Sequence, residues 1–390
     1  MTPSEPIRPL SRRQVLQGVG IATAALGLAA CSPAEPARPT KAKDVSETQR
    51  SLRFDGRETY RNTVGEDFPL LEKFDTESGI AVTYTAAVSE DNVYYSKIKD
   101  QLKLGNDIGA DAVVLADWMA ARWLRFGYVQ EFRRENLSNF GKLRLQFQDA
   151  AFDPGRQRSL PWRSGLTGVA WNTAAIPGGL TSVSDLWDPS LHGKVGVMSA
   201  MRDTVGSIML DQGVDIESAD WGDSEFSAAV TVLAQQVAAG QVKSIKGKKY
   251  KDDLKSGATV AAIARADDIM QINEEAGDHW EFALPSAGGV LSSDSVVIPI
   301  GSAHRANAED FVNFYLSPAN AVKVVEATNV ISPVDIHQPE LGSIPASVSR
   351  DPLLFPSEAL LKTTRTFRTL SQGEEQRYGA QYQTVLLRAL

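Results

Sequence analysis

The chain has a single cysteine in 390 residues, so no disulfide bond within the chain can stabilise the fold. Basic residues are too few to balance the acidic ones, and the formal net charge is -8 at pH 7. An acidic chain without a sustained basic face binds nucleic acid poorly, so we expect no nucleic-acid partner. Beyond the first 30 residues, no apolar run is long enough to cross a bilayer.

Local motifs of catalysis are also missing. The four histidines, which are His192, His279, His304 and His337, are too far apart to form a metal pair of the H-E-x-x-H type. There is no G-x-S-x-G nucleophile elbow and no G-x-x-x-x-G-K-[ST] phosphate loop. We therefore predict that the protein is not an enzyme and holds no cofactor or metal ion. Residues distant in sequence could still build a catalytic site, and that alternative stays open.

The N-terminal residues resemble an export and anchoring signal. Arg12 and Arg13 precede a short apolar run, 18–27, as in a twin-arginine export address. The following residues, 28–31 (LAAC), resemble the bacterial lipoprotein cleavage box, which implies cleavage before Cys31 and a lipid on its thiol. We predict a signal peptide over 1–30 and an exported, lipid-anchored protein on the periplasmic or outer face of the membrane. The alternative is an ordinary apolar helix with a chance cysteine.

The segment that follows predicts a tether. Residues 32–40 (SPAEPARPT) are rich in proline and alanine and have no apolar period. We predict that residues 31–50 are a disordered linker that begins with the lipidated Cys31. Removal of residues 1–30 takes away three arginines and one glutamate, so the remaining chain has a net charge near -10.

From residue 51 onward, strand and helix patterns alternate, which predicts an α/β fold. About 340 residues are too many for one compact core, so we expect two lobes. In such sheets ligands bind beyond the carboxyl ends of the strands, where the helices begin. The predicted strands are 80–85, 111–115, 195–198, 259–264 and 295–300, with another ending at 172, and helices over 68–78, 118–126, 203–210, 226–239 and 267–275 lie between them.

Four stretches resemble the spermidine/putrescine-binding proteins of ABC importers. They are 71–80 (LEKFDTESGI), 159–168 (SLPWRSGLTG), 185–195 with its DLWDP and GKV segments, and 288–294 (GGVLSSD). The resemblance implies a type II periplasmic-binding-protein fold, in which each of two lobes is a mixed sheet flanked by helices. It also implies a small solute in the cleft and delivery to a membrane permease. We further expect the protein to be a monomer. We predict lobe 1 over 51–160 plus 295–332 and lobe 2 over 161–294 plus 333–390.

Several residues match the ligand-binding positions of that family. A polyamine site needs carboxylates for the ammonium groups and aromatic faces for the methylene chain. The resemblance implies such roles for Asp203, Asp267 and Asp294, with Asp117 as a fourth carboxylate, and for the aromatic residues Tyr60 and Trp118. The alternative for Asp203 is a helix cap, and for Trp118 it is a place in the core.

Other matched positions carry residues that a polyamine would not favour. Arg57 and Ser292 replace pocket tryptophans, Ala264 replaces a third with Arg265 beside it, and Val330 replaces a tyrosine. Arg163 stands where a neutral amide is frequent, and nearby positive charges repel a cationic ligand. The lysines over 243–255 are interpreted as a solvated surface.

The full predicted ligand-binding set is therefore Arg57, Tyr60, Asp117, Trp118, Arg163, Asp203, Arg265, Asp267 and Asp294. The predicted function is that of a solute-binding lipoprotein of an ABC importer. Its solute is either a polyamine or an anionic or zwitterionic compound. A surface lipoprotein that contacts another protein and transports nothing is the alternative from another class.

Overall fold

A computed structural model of the chain describes residues 38–60, 69–277, 279–337 and 340–389. The predicted signal peptide over 1–30 and the predicted lipidation site Cys31 lie outside these residues. In the part of the chain that the structure describes, no helix is both long and apolar enough to cross a membrane.

One mixed sheet joins the strands of the described residues. They are β1 (Ser51–Asp55), β2 (Ala81–Thr85), β3 (Ala112–Ala116), β4 (Leu160–Asn172), β5 (Val195–Met198), β6 (Val242–Lys246), β7 (Ala261–Arg265), β8 (Trp280–Ala283), β9 (Gly289–Val297) and β10 (Thr364–Arg365). Their order is β2-β1-β3-β9-β4-β7-β5-β6, with β10 beside β9 and β8 beside β4. The outer pairs are parallel, whereas β4 and β9 in the middle are antiparallel to each other and to β7 and β3.

Helices cover the sheet. They are α1 (Pro69–Ser78), α2 (Asp91–Leu104), α3 (Asp117–Arg125), α4 (Met201–Asp211), α5 (Asp223–Ala238), α6 (Tyr250–Lys255), α7 (Ala266–Ala276), α8 (Arg305–Tyr315), α9 (Pro318–Thr328), α10 (Ala346–Ser349), α11 (Glu358–Leu361) and α12 (Gln372–Arg388). Short 3-10 turns occur at Glu58–Tyr60, Arg134–Asn136, Phe140–Lys142, Leu145–Phe147, Ser184–Trp187, Pro189–Leu191 and Glu340–Ser343. The helix α2 ends at Gly105, whose φ of 71° is a left-handed conformation that glycine adopts without strain.

The apolar side chains form separate cores toward the two ends of the sheet. One core contains Phe54 and Phe311 and lies by β1, while another contains Val197 and Phe226 and lies by β5. The strands β4 and β9 run from one core to the other. The predicted α/β fold with two lobes is confirmed.

The assignment of chain segments to the two lobes stays a prediction. Val334 and Leu354 pack in the core that contains Phe54, whereas Phe367 and Tyr378 pack in the core that contains Phe226. The segment 333–390, which was expected in lobe 2, therefore contributes side chains to both cores.

The segment 39–50 was wrongly predicted as part of a disordered tether. The amide nitrogens of Ala42 and Val45 donate to the carbonyl groups of Ile300 and Ala303 at 3.0 and 2.8 Å. The Asp44 carboxylate lies 3.0 Å from Nη2 of Arg133, a residue distant in sequence. These partners are far along the chain, so local composition could not indicate that the segment packs on the protein.

Candidate functional site

A cavity of about 560 Å³ lies where the helix starts meet the middle of β4 and β9. Eight of the nine predicted residues line it: Arg57, Asp117, Trp118, Arg163, Asp203, Arg265, Asp267 and Asp294. The ninth, Tyr60, is buried directly behind the wall, where its hydroxyl donates a hydrogen bond to Asp294. The structure thus brings the whole predicted set to one place.

Most of the carboxylates lie in first turns of helices. Asp91 begins α2, Asp117 begins α3, Asp203 is the third residue of α4, and Asp267 is the second residue of α7. A negative charge at a helix N-terminus is stabilised by the unpaired N–H groups and the helix dipole. Since each helix follows a strand of the sheet, the fold itself collects these groups at the cavity.

Asp203 is not a helix cap, because the cap position of α4 is Ala200. Its Oδ1 instead accepts hydrogen bonds from the hydroxyl groups of Thr167, at 3.0 Å, and Ser292. Among the described residues, no cation lies within ion-pair distance of Asp203. Its side chain is half-buried and lines the cavity.

Asp294 is the centre of a dense charge cluster. Its Oδ2 lies 3.1 Å from Nε of Arg163 and 3.7 Å from Nε of Arg57, and it accepts the Tyr60 hydroxyl. Nη2 of Arg57 also binds Asp91 at 2.6 Å. Burial alone would raise the pKa of Asp294, but the two guanidinium groups and the Tyr60 hydroxyl hold it well below its usual range.

The position of Asp294 differs from the prediction. It was placed before a strand over 295–300, but it lies inside β9, opposite Arg163 of β4. The polar residues Ser292 and Ser293 precede it and interrupt the apolar pattern, because this part of β9 faces the cavity rather than a core. A strand that passes a polar site does not show the periodicity of a buried strand.

Arg265 forms a second ion pair in the wall. Its Nε donates to Oδ1 of Asp267 at 2.9 Å. The guanidinium group lies against the backbone of Gly165, where a Cβ atom would be only 2.0 Å from Nη2. Burial lowers the pKa of Arg265, but the charges of Asp267 and Asp203 outweigh it and raise the pKa above the usual value.

Trp118 has two arginine side chains close to its ring. The guanidinium carbon of Arg202 lies 4.4 Å from the ring centroid, and that of Arg122 lies 5.1 Å from it. Burial lowers the pKa of Arg202 to about 10, although Glu375 opposes the shift. The carboxylate of Glu375 in α12 forms ion pairs with Nη2 of Arg122 at 2.8 Å, of Arg125 at 3.4 Å and of Arg202 at 3.8 Å. It thereby links α3 and α4 at the edge of the cavity.

Asp117 is held deeper in the wall. It accepts a hydrogen bond from the Ser295 hydroxyl, and Nη2 of Arg156 lies 3.7 Å from its Oδ2. Burial raises the pKa of Asp117, and the neighbouring charge of Asp294 adds to the rise, despite the Arg156 cation.

Sequence reasoning misplaced two positions and missed others. Ala264 and Val330 are buried in apolar surroundings and do not line the cavity. Lys248 is exposed, as interpreted, but it also lines the cavity, as does Arg202. The missed residues share a signal, because each lies just after a strand: Asp91 after β2, Arg202 after β5 and Lys248 after β6.

Within the described ranges, no group of three or more His, Cys, Asp or Glu side chains is placed to hold a metal ion. The polar groups of the cavity are instead suited to a charged organic solute, because both basic and acidic side chains line a space of small-molecule size.

The fold is that of the two-lobed solute-binding proteins. A spermidine/putrescine ABC transporter substrate-binding protein of Streptococcus pneumoniae superposes with a TM-score of 0.74 at 19% identity, over 88% of this chain and 100% of that one. A binding protein of Agrobacterium tumefaciens, solved with agropinic acid, gives 0.65 at 17% identity, over 86% and 98%.

The sequence relationship is more specific. Residues 70–356 match the family described as bacterial extracellular solute-binding protein, and the chain belongs to this family. The spermidine/putrescine-binding periplasmic protein of Salmonella typhimurium is 27% identical over 314 residues, which are 79% of this chain and 82% of the relative. The predicted resemblance is confirmed.

Proposed function

We propose that the protein captures a small solute with an acidic group in the cavity and delivers it to the membrane permease of an ABC importer. The observation that carries this proposal is the state of Asp294, whose Oδ2 is bound by Arg163 and Tyr60 and approached by Arg57. A polyamine would have to displace guanidinium groups from this carboxylate. An acidic group could instead accept hydrogen bonds from the Nη atoms of Arg163 and Arg265, because these two arginines bind described residues only through Nε.

The aromatic wall supports the same proposal. A methylene chain that stacks on Trp118 would lie next to the guanidinium groups of Arg202 and Arg122, whose charge would repel the ammonium groups of a polyamine. The ligand-binding residues that we propose are the eight predicted ones that line the cavity, together with Lys248 and Arg202. Tyr60 supports them from behind the wall through its hydrogen bond to Asp294.

A polyamine is the second candidate, and two observations favour it. The Salmonella relative is named for spermidine and putrescine. Asp203 also offers a carboxylate with hydroxyl partners, which an ammonium group could reach.

We also propose that the protein acts outside the cytoplasm as a lipid-anchored monomer that binds its solute without converting it. The names of the relatives support the extracytoplasmic place, and the LAAC segment supports the anchor. If Cys31 carries the lipid, Cys31→Ser will move the protein from the membrane to the soluble fraction or leave an unprocessed precursor. Normal processing with unchanged membrane association would contradict the anchor.

Isothermal titration calorimetry on the mature chain tests the proposed solute. Spermidine and putrescine should bind weakly or not at all, whereas at least one acid from a panel of amino acids and small organic acids should bind. Tight, salt-sensitive binding of spermidine would show that the second candidate is right.

A further inference from the structure

The cavity contains charged hydrogen-bond donors and a charged acceptor that have no hydrogen-bond partner among the described residues. We infer that the solute carries an acidic group and an ammonium group, with the acid bound by Arg163, Arg265 and Lys248 and the ammonium bound by Asp203. This inference rests on the proposed function and adds the second charge and the orientation of the solute.

The acid end is formed by unused donors. Arg163 binds Tyr60 and Asp294 through Nε, and Arg265 binds Asp267 through Nε. For both guanidinium groups, the Nη atoms make no hydrogen bond to any residue that the structure describes. Two guanidinium groups with available Nη atoms suit a carboxylate or a similar planar acid, because an arginine can donate two parallel hydrogen bonds to it.

Lys248 adds a third donor at this end. Its ammonium group has no hydrogen bond or ion pair with a described residue, although it lines the cavity. Partial burial lowers its pKa, and the neighbouring charges of Arg57 and Arg163 lower it further. An anion bound among these three cations would therefore stabilise the charged form of Lys248.

The ammonium end is formed by Asp203. Thr167 and Ser292 both donate to its Oδ1, so Oδ2 remains as an acceptor that no described residue uses. The two hydroxyl groups fix the carboxylate without neutralising it, as positioning residues do. In contrast, Asp294 and Asp267 already have guanidinium partners.

A solute with two charges of opposite sign satisfies both ends at once. A dication would leave the Nη atoms of Arg163 and Arg265 and the ammonium group of Lys248 without an acceptor, and a dianion would face the carboxylate of Asp203. The cost of placing a like charge next to a partly desolvated group disfavours both.

The test compares probes of equal length on the mature chain by calorimetry. The probes are 4-aminobutanoate, 1,4-diaminobutane and butanedioate, supplemented by the other ω-amino acids of two to six carbons and the proteinogenic amino acids. We expect an amino acid to bind at least tenfold more tightly than the diamine and the diacid of matched length.

Variants then assign the two ends. Asp203→Asn should weaken the best amino acid tenfold or more and weaken the diacid less. Lys248→Met should weaken the amino acid and the diacid but not the diamine. Lys249→Met is the matched control, because this neighbouring lysine is also exposed but does not line the cavity.

The outcomes separate this inference from the function on which it rests. Tightest binding by a diacid, with Asp203→Asn improving it, would overturn the inference and leave the proposed capture of an acidic solute intact. Tightest binding by the diamine would overturn both. Binding by none of the amino acids in either series would overturn the inference. An amino acid that binds equally well to Asp203→Asn would also overturn the predicted orientation.

Discussion

Two carboxylates of the same cavity have opposite surroundings. Asp294, on a strand that links the two cores, has guanidinium groups from Arg57 and Arg163 beside it. Asp203, in the first turn of α4, has hydroxyl groups as its only side-chain partners among the residues that the structure describes. The first carboxylate is therefore part of the protein's own charge balance, whereas the second can still bind a cation from outside.

The comparison shows that matching residue types do not establish matching roles. Both aspartates match positions that the resemblance assigns to polyamine binding, but their partners decide what each can do. The partners of Asp294 come from the loop after β1 and from β4, so the arginines at 57 and 163 determine its state together.

The largest expected effect comes from neutralising Asp294. Asp294→Asn leaves the Arg57 and Arg163 guanidinium groups without a shared counter-charge in a largely buried site, and removing one partner of a buried pair is strongly destabilising. We expect a loss of about 3 kcal/mol in the free energy of unfolding. Urea denaturation of both proteins at pH 7 measures it, and a loss below about 1 kcal/mol would contradict the assigned role.

A smaller effect should appear in the acid range. Because the pKa of Asp294 is lower in the folded protein than in the unfolded chain, its contribution to stability is complete above about pH 4 and is lost as the pH falls toward the folded pKa. The unfolding free energy of the wild-type protein should thus fall more steeply with acid than that of Asp294→Asn, by up to about 1.4 kcal/mol per pH unit. Parallel curves below pH 4 would show that Asp294 titrates normally.

The smallest effect on stability is expected at the other carboxylate. In Asp203→Asn the amide oxygen can still accept from Thr167 and Ser292, so the free energy of unfolding should change by less than about 1 kcal/mol. The same variant should nevertheless lose solute affinity. A loss of stability as large as that of Asp294→Asn would mean that Asp203 also has a structural role, and the proposed difference between the two carboxylates would be wrong.

Much of the fold could be predicted because its signals are local. The strand at Val195–Met198 was predicted with its observed bounds, and the helices that begin near Asp117, Asp203 and Asp267 were predicted within two residues at each end. The end of a strand and the start of the following helix lie within a few residues of each other, so a short stretch of sequence contains the signals for both.

The pairing of charges could not be predicted in the same way. Arg163 and Asp294 are 131 residues apart, and their contact depends on the register of β4 against β9. Arg202 and Glu375 are even further apart in the sequence, so nothing near either residue indicates their ion pair. The resemblance placed the pocket positions, but the partners of each side chain required the three-dimensional structure.

The contact between Arg163 and Asp294 has a consequence for how this receptor could acquire new solutes over evolution. The two residues face each other where β4 and β9 pass from one core to the other, next to a register irregularity between Pro161 and Arg163. Substitutions there alter the connection between the cores as well as the cavity, so selection for stability opposes them. Asp203, Lys248 and Arg265 lie at helix starts and strand ends, where a change affects recognition first. Descendants of this chain should therefore diverge in solute through those three positions while Arg163 and Asp294 change together or not at all.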